Sequence, residues 1–210
     1  MLSYGMPHFS LGTSLIQLAI VACIVVYASF FLRGMSRGTV RPVLATWLFL
    51  SLATILSFIT NFAESGARGL LANSFNMIDT LAVWIISLVV IFHKDTRTQF
   101  TRFEKWCLGV VVFIFIGWLI SGQNVMAHLS IQAILVIAYL PTLHKLWLAT
   151  KNTESLGGWS FDCLASVFGI VEPLQTVAVL PLVYVIRSIV STLSVIFLIL
   201  RIKFLKRTSL

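Results

Sequence analysis

The amino-acid sequence predicts an all-α integral membrane protein with seven transmembrane helices, arranged as two parallel three-helix bundles joined by a linker helix. Of its 210 residues, 59% are hydrophobic and 10% are charged, whereas an ordinary soluble domain is about 25% charged. Apolar runs long enough for about 20 residues of helix also recur along the whole chain. These two observations leave little sequence for a separate soluble domain, and we expect one integral-membrane domain.

Seven apolar runs fit transmembrane helices, and they cover 11–32, 43–62, 72–93, 105–121, 126–144, 160–178 and 181–201. The last two runs are nearly continuous, and we divide them at Pro181 because proline favours a helix start. The fourth run has no ionisable residue after Lys105, so we expect a connector that faces lipid. Two three-helix units in the same orientation need one such connector. The sequence therefore predicts bundles at 1–104 and 122–210, with the linker helix at 105–121.

With seven spans, nearly all basic residues fall on one side of the membrane. The loops at 33–41, 93–105 and 145–151 and the tail at 201–207 fall on one face and hold every Lys and Arg except Arg68 and Arg187. The positive-inside rule makes this face cytoplasmic and puts the N-terminus outside, which we expect at the plasma (inner) membrane. The net charge of +8 is explained in this way, so no nucleic-acid partner is expected.

Five polar side chains are predicted to share one depth in the membrane. Helical rise places them roughly 18 to 23 Å from the cytoplasmic face; they are Gln17, Asp79, Gln132, Glu172 and Arg187. Such groups are tolerated at this depth around a cavity or a partner. We predict a substrate-binding layer, extended by Asn76 and Gln175. The competing interpretation is structural: the glutamines would be hydrogen bonds between helices, and Asp79 with Arg187 an ion pair.

One carboxylate and two prolines suggest how such a layer would work. Pairing of Asp79 with Arg187 leaves Glu172 as the remaining carboxylate, and we expect it to carry a proton or to contact a cationic group of the solute. Pro141 and Pro173 each remove a helical hydrogen bond, so we predict hinges at both. Prolines are also common in membrane helices without such a role.

The segment Pro141-Thr142-Leu143 and the turn Thr150-Lys151-Asn152-Thr153-Glu154-Ser155-Leu156 resemble the PQ-loop families, which include the SWEET and SemiSWEET sugar transporters. The resemblance implies a seven-helix transporter with its N-terminus outside. In SWEET-like proteins an asparagine in the third helix of each repeat lines the pocket. The matching positions here hold Thr80, beside Asp79, and Arg187, while Thr142 stands where the family usually has glutamine. A simple sugar specificity is therefore not expected.

We predict a transporter that moves a small polar solute by alternating access, either facilitative or coupled to protons. The solute would be sugar-like, an amino acid or another zwitterionic or cationic metabolite. Its partners would be this solute, protons, the lipid bilayer and further copies of the chain in a homo-oligomer. No enzyme motif, cofactor or metal site is recognised, and the three cysteines lack ligand spacing. The alternative is a seven-helix receptor for a peptide or small ligand, similar in architecture to the KDEL receptors.

Overall fold

The computed structural model describes residues 11–71, 74–92, 100–121, 124–176 and 179–208, and all regular structure within these ranges is helical. The helices in chain order are α1 (Leu11–Ser36), α2 (Leu44–Leu71), α3 (Ser74–Phe92), α4 (Arg102–Ser121), α5 (Asn124–Leu148), α6 (Leu156–Gly169), α7 (Val171–Thr176) and α8 (Val179–Thr208). The all-α prediction is confirmed. Residues 72, 73, 93, 177 and 178 of the third and sixth predicted spans lie outside the described residues.

Five helices, α1, α3, α4, α5 and α8, are long and apolar enough to cross a membrane. Large apolar side chains face outward, among them Phe113, 77% exposed, and Ile120, 81% exposed. Contiguous apolar surface of this kind is rare on soluble monomers and fits contact with lipid. Both residues lie on α4, which has little of its surface buried against the rest of the protein. The molecule is a membrane-embedded helical protein.

Two prolines near the end of the chain set helix boundaries. Pro181 lies in the first turn of α8, where the backbone N–H groups have no helical partner and its missing donor costs nothing. Pro173 lies within α7, and its ring would clash with the carbonyl group of Gly169, four residues earlier. The α6 helix ends at Gly169. The sixth predicted span is therefore two helical segments, whereas α5 continues through Pro141.

The start of α6 lies earlier than the predicted residue 160. Ser155 caps the helix, since its Oγ accepts a hydrogen bond from Gly158 N at 3.0 Å. This bond satisfies one of the free N–H groups of the first turn. The cap adds a full turn to the N-terminal end of the helix, beginning at Leu156.

Helix contacts follow the same pattern in the two halves of the chain. The α3 helix packs against both α1 and α2, and α8 packs against both α5 and α6. The halves meet where α1 packs on α6 and α2 packs on α5. The α4 helix lies mainly against α5. The interior is thus formed where helices from the two halves face each other.

An aromatic cluster fills the contact between α1, α2 and α6. Phe31 is fully buried, and its ring lies edge-on to Trp47 at 5.2 Å and to Trp159 at 5.3 Å between centroids. Edge-to-face pairs of this kind add about 0.5 to 1.5 kcal/mol beyond the area they bury. The helix backbone comes close to this ring at Gly158, where a Cβ atom would lie 2.5 Å from Phe31 Cε2. Only glycine fits there without movement of a packed ring.

Replacing Gly158 by alanine is expected to lower the free energy of unfolding by about 1 to 3 kcal/mol, because overpacking displaces a buried side chain. The measurement is thermal unfolding of the purified protein. Gly109→Ala is the matched control, since a Cβ at Gly109 meets no atom within 4 Å and alanine favours helix. Equal stability of the two variants would show that α1 and α6 are not packed as described.

Candidate functional site

Asp79 is buried near the middle of the protein and is held by a tyrosine from another helix. It lies on α3, and its Oδ2 accepts a hydrogen bond from the hydroxyl group of Tyr184 on α8 at 3.0 Å. Both side chains are buried. A carboxylate removed from water requires such a donor, because an unpaired buried charge is strongly unfavourable. The bond therefore links the third helix of each half.

Arg187 lies one helical turn beyond Tyr184 on the same face of α8. Its guanidinium carbon is 4.7 Å from the centroid of the Tyr184 ring, a distance at which the cation is attracted to the ring face. Its Nε donates to Gln132 Oε1 on α5 at 3.0 Å. The Nη1 atom is buried and has no hydrogen-bond partner within the described residues. The Tyr184 ring and Gln132 thus hold the guanidinium in place, and the Tyr139 side chain on α5 interacts with it as well.

The structure brings together three of the five residues predicted to share a layer. Asp79, Gln132 and Arg187 meet, but Asp79 and Arg187 are joined through Tyr184 rather than by the direct ion pair expected from the sequence. Tyr184 was not among the predicted residues. Its position three residues before Arg187 in an apolar helix is the signal that could have found it.

Asp162 is a second buried carboxylate, and sequence reasoning missed it. It lies on α6, is 3% exposed, and interacts electrostatically with both Asp79 and Arg187. A span drawn from residue 160 places Asp162 near its end, where a charge is unremarkable. Because the helix begins at Leu156, Asp162 is almost two turns inside it. Ser155, a helix-capping residue that precedes the predicted start of this span, was the sequence signal that could have placed Asp162 inside the helix.

Two further buried tyrosines complete what we call the polar centre, which comprises Tyr27, Asp79, Gln132, Tyr139, Asp162, Tyr184 and Arg187. Tyr27 on α1 interacts electrostatically with Asp162 and Asp79. Tyr139 on α5 interacts with Asp162 and Arg187. The polar centre draws on α1, α3, α5, α6 and α8, and so on both halves of the chain. Its formal charges are two carboxylates and one guanidinium.

The other predicted site residues have different surroundings. Asn76 is buried on α3 and donates through Nδ2 to Ser57 Oγ on α2 at 3.2 Å. Gln17 on α1 and Glu172 on α7 are partly exposed, and Gln175 on α7 is exposed. An exposed side chain is a weak candidate for a binding pocket, so Gln175 is the least favoured of the predicted set.

The residue after Pro141 joins the two halves at a second point. Thr142 on α5 and Thr46 on α2 are both buried, and their hydroxyl groups form a hydrogen bond at 2.9 Å. Each threonine lies in a helix that packs on the other half. A short hydroxyl pair allows closer approach of the two helices than a glutamine at position 142 would.

The loops that connect α1 to α2 and α5 to α6 are joined by what we call the loop junction. Glu154 Oε1 lies 2.9 Å from Lys145 Nζ, and its Oε2 accepts from Trp159 Nε1 at 3.4 Å. Lys145 Nζ also donates to the carbonyl oxygen of Arg41, and Arg41 N donates to Thr153 O at 2.8 Å. Burial raises the pKa of Glu154 above its usual range, and Lys145 partly opposes this rise. The loop junction links the first half of the chain to the second through hydrogen bonds.

Comparisons with protein-family models, with curated proteins and with solved structures find no match to this chain. The class of the protein therefore follows from its own fold and site. It is a helical membrane protein with a buried, charged polar centre between its helices.

Replacing Lys145 by methionine is expected to lower the free energy of unfolding at neutral pH by about 1 to 3 kcal/mol, because Glu154 stays buried without its cation. The change raises the pKa of Glu154 further, so the carboxylate takes up a proton as the pH falls. The difference in unfolding free energy between Lys145→Met and wild type should therefore become smaller toward acidic pH. Thermal unfolding over a pH series measures it.

Lys151→Met is the matched control, since Lys151 is an exposed lysine in the loop that carries Glu154. It should leave stability nearly unchanged at every pH. A deficit in Lys145→Met that did not vary with pH would contradict the assignment of Glu154 as its partner.

Proposed function

We propose that the protein is a transporter that moves a small polar solute by alternating access, and that the polar centre is its binding site. The observation that carries this proposal is the position of the charges. Asp79 comes from the first half of the chain, while Asp162 and Arg187 come from the second. Ionisable residues inside a membrane bundle are costly and are usually kept for ion or solute handling. A site built from both halves changes whenever the halves move apart.

The helix contacts support two parallel three-helix bundles joined by α4, as the sequence predicted. The third helix of each half packs on the other two, so α1, α2 and α3 correspond to α5, α6 with α7, and α8. Parallel repeats with a site at their interface are a known transporter architecture. The bundles would occupy 1–104 and 122–210, with the linker helix at 105–121. On this basis we keep the resemblance to the PQ-loop families as part of the proposal.

The chemistry of the polar centre favours a solute with an amino group. Two buried carboxyl groups, those of Asp79 and Asp162, interact electrostatically with one guanidinium, and Arg187 Nη1 still lacks an acceptor within the described part of the chain. An amino acid matches both features, since its ammonium group offsets the excess carboxylate and its carboxylate accepts from Arg187. A neutral sugar has no charged group that could pair with either aspartate or with Arg187. We therefore propose an amino acid or similar zwitterionic or cationic metabolite.

The loop junction supports a cycle in which one face opens only when the halves separate. It connects Arg41 of the first half to Lys145, Thr153 and Glu154 of the second. The described loops that carry Arg41 and Lys151 lie at this face, which the positive-inside rule would assign to the cytoplasm, with the N-terminus outside. Opening toward the cytoplasm would break the junction while the opposite face closes. The break between α6 and α7 before Pro173 lies in one of the helices that would move.

The role predicted for Glu172 in proton coupling stays a prediction, as do the hinges at Pro141 and Pro173. Glu172 lies in the first turn of α7, where the helix N-terminus favours a negative charge.

Counterflow in proteoliposomes tests the proposal. Vesicles loaded with unlabelled alanine, lysine, glutamate or glucose are diluted into the same labelled compound. At least one of the amino acids should accumulate transiently, and glucose should not. Arg187→Gln and Asp162→Asn should each reduce this exchange by about tenfold or more, the effect of losing a charge-assisted hydrogen bond.

Gln175→Ala is the control variant, because this side chain is exposed on α7; it should exchange like wild type. Thermal unfolding of each variant separates loss of the site from loss of the fold. Exchange that is unaffected in Arg187→Gln and Asp162→Asn would contradict the proposed site. Binding of a compound without exchange would favour a receptor instead.

A further inference from the structure

A groove outside the polar centre runs along the surface where α4, α5 and α8 meet, with a volume of about 700 Å³. The residues that line the groove recur about once per helical turn along α5 and α8. The groove therefore runs parallel to these two helices for about 10 Å. The residues that line it are Phe103, Leu140, Leu143, His144, Trp147, Val190, Leu193, Ser194, Phe197 and Leu198.

The polar atoms of this groove offer little to a polar ligand. Ser194 Oγ donates to the carbonyl oxygen of Val190 at 2.8 Å, so its hydrogen is already used. His144 is stacked on the Phe103 ring at 4.3 Å between centroids. Leu193 and Phe197 are exposed along the opening. Such a groove on a membrane-embedded surface fits a hydrocarbon chain, since apolar surfaces are complementary only to one another.

One end of the groove is basic. Arg201 lies over the Trp147 ring, with its guanidinium carbon 4.5 Å from the ring centroid, and its Nη1 donates to Trp147 O at 3.3 Å. Arg102 and Lys105 are exposed in the first turn of α4, beside the groove residue Phe103.

The one acid in this turn of α4 is buried and hydrogen-bonded to the start of its own helix. Glu104 is buried and is occupied in a capping box with Thr101, whose N donates to Glu104 Oε2 at 2.7 Å while Thr101 Oγ1 accepts from Glu104 N at 3.2 Å. The groove therefore ends at the basic side chain of Arg201 beside Trp147, and Arg102 and Lys105 are exposed in the same turn of α4 as the groove residue Phe103.

We infer that this groove is a binding site for an anionic phospholipid, with one acyl chain in the groove and the phosphate headgroup at Arg201. Charge complementarity selects this occupant, because an apolar slot that ends in basic side chains matches both parts of the molecule. Basic pockets between transmembrane helices are known to hold anionic headgroups. The lipid site is separate from the polar centre. We therefore expect lipid binding whether or not the protein transports a solute.

Native mass spectrometry of the full chain in detergent tests this inference with two added lipids that share palmitoyl and oleoyl chains, phosphatidylglycerol and phosphatidylcholine. Phosphatidylglycerol should bind at one saturable site and more tightly than phosphatidylcholine. Arg201→Gln should weaken phosphatidylglycerol about fivefold, the effect of one basic side chain near a headgroup. Ser194→Trp, which fills the groove, should lower the binding of both lipids.

Two control variants match these changes. Arg33→Gln removes the same charge from an exposed position on α1, and Val183→Trp adds the same bulk to an exposed position near the other end of α8. Both should bind phosphatidylglycerol like wild type. Equal binding of the two lipids, or wild-type binding by Ser194→Trp, would overturn the inference. So would a dimer that Ser194→Trp dissociates, since a second copy would then occupy the groove.

Discussion

The partly buried guanidinium of Arg187, with its Nη1 atom fully buried, is the constraint on which the rest of the structure depends. A cation among apolar helices is stable only if ring faces, amide oxygens and carboxylates converge on it. Tyr184, Gln132 and the two aspartates meet that requirement from four helices. Each of those helices must keep its position and rotation for the charge to remain compensated. The polar centre therefore also specifies how the helices are packed.

The interface between the two halves has an apolar part and a polar part. The aromatic cluster around Phe31 and the loop junction around Glu154 meet at Trp159, which contacts Phe31 through its ring and Glu154 through Nε1. The same α6 helix carries Asp162 on its buried side. Separation of the halves at the loop junction would thus displace Trp159, which lies one helical turn from Asp162 of the polar centre. Coupling of this kind is what the proposed alternating access would require.

Much of the fold could be predicted from the sequence, because apolar runs, basic loops and prolines act locally. Pro181 lies in the first turn of the last helix, which begins at Val179, and Asp79, Gln132 and Arg187 lie in one connected group, although their common depth in the membrane stays a prediction. A hinge at Pro173 was predicted, but not that the helix would end at Gly169 and restart at Val171, although the position of the proline carried the signal. Tyr184, Asp162 and the partner of Glu154 were missed because their roles arise from contacts between distant segments. Hydropathy also treats a buried tyrosine as an ordinary apolar residue.

The central claim is that the buried charges act as one unit, and the unfolding free energies of charge variants test it most directly. Arg187→Gln alone should lose about 3 to 5 kcal/mol, because two carboxylates remain buried without their cation. Adding Asp79→Asn or Asp162→Asn to Arg187→Gln should restore part of this loss, since each removes one of those carboxylates. Losses that simply add in both double variants would contradict the account, because the three residues would then not share one electrostatic environment.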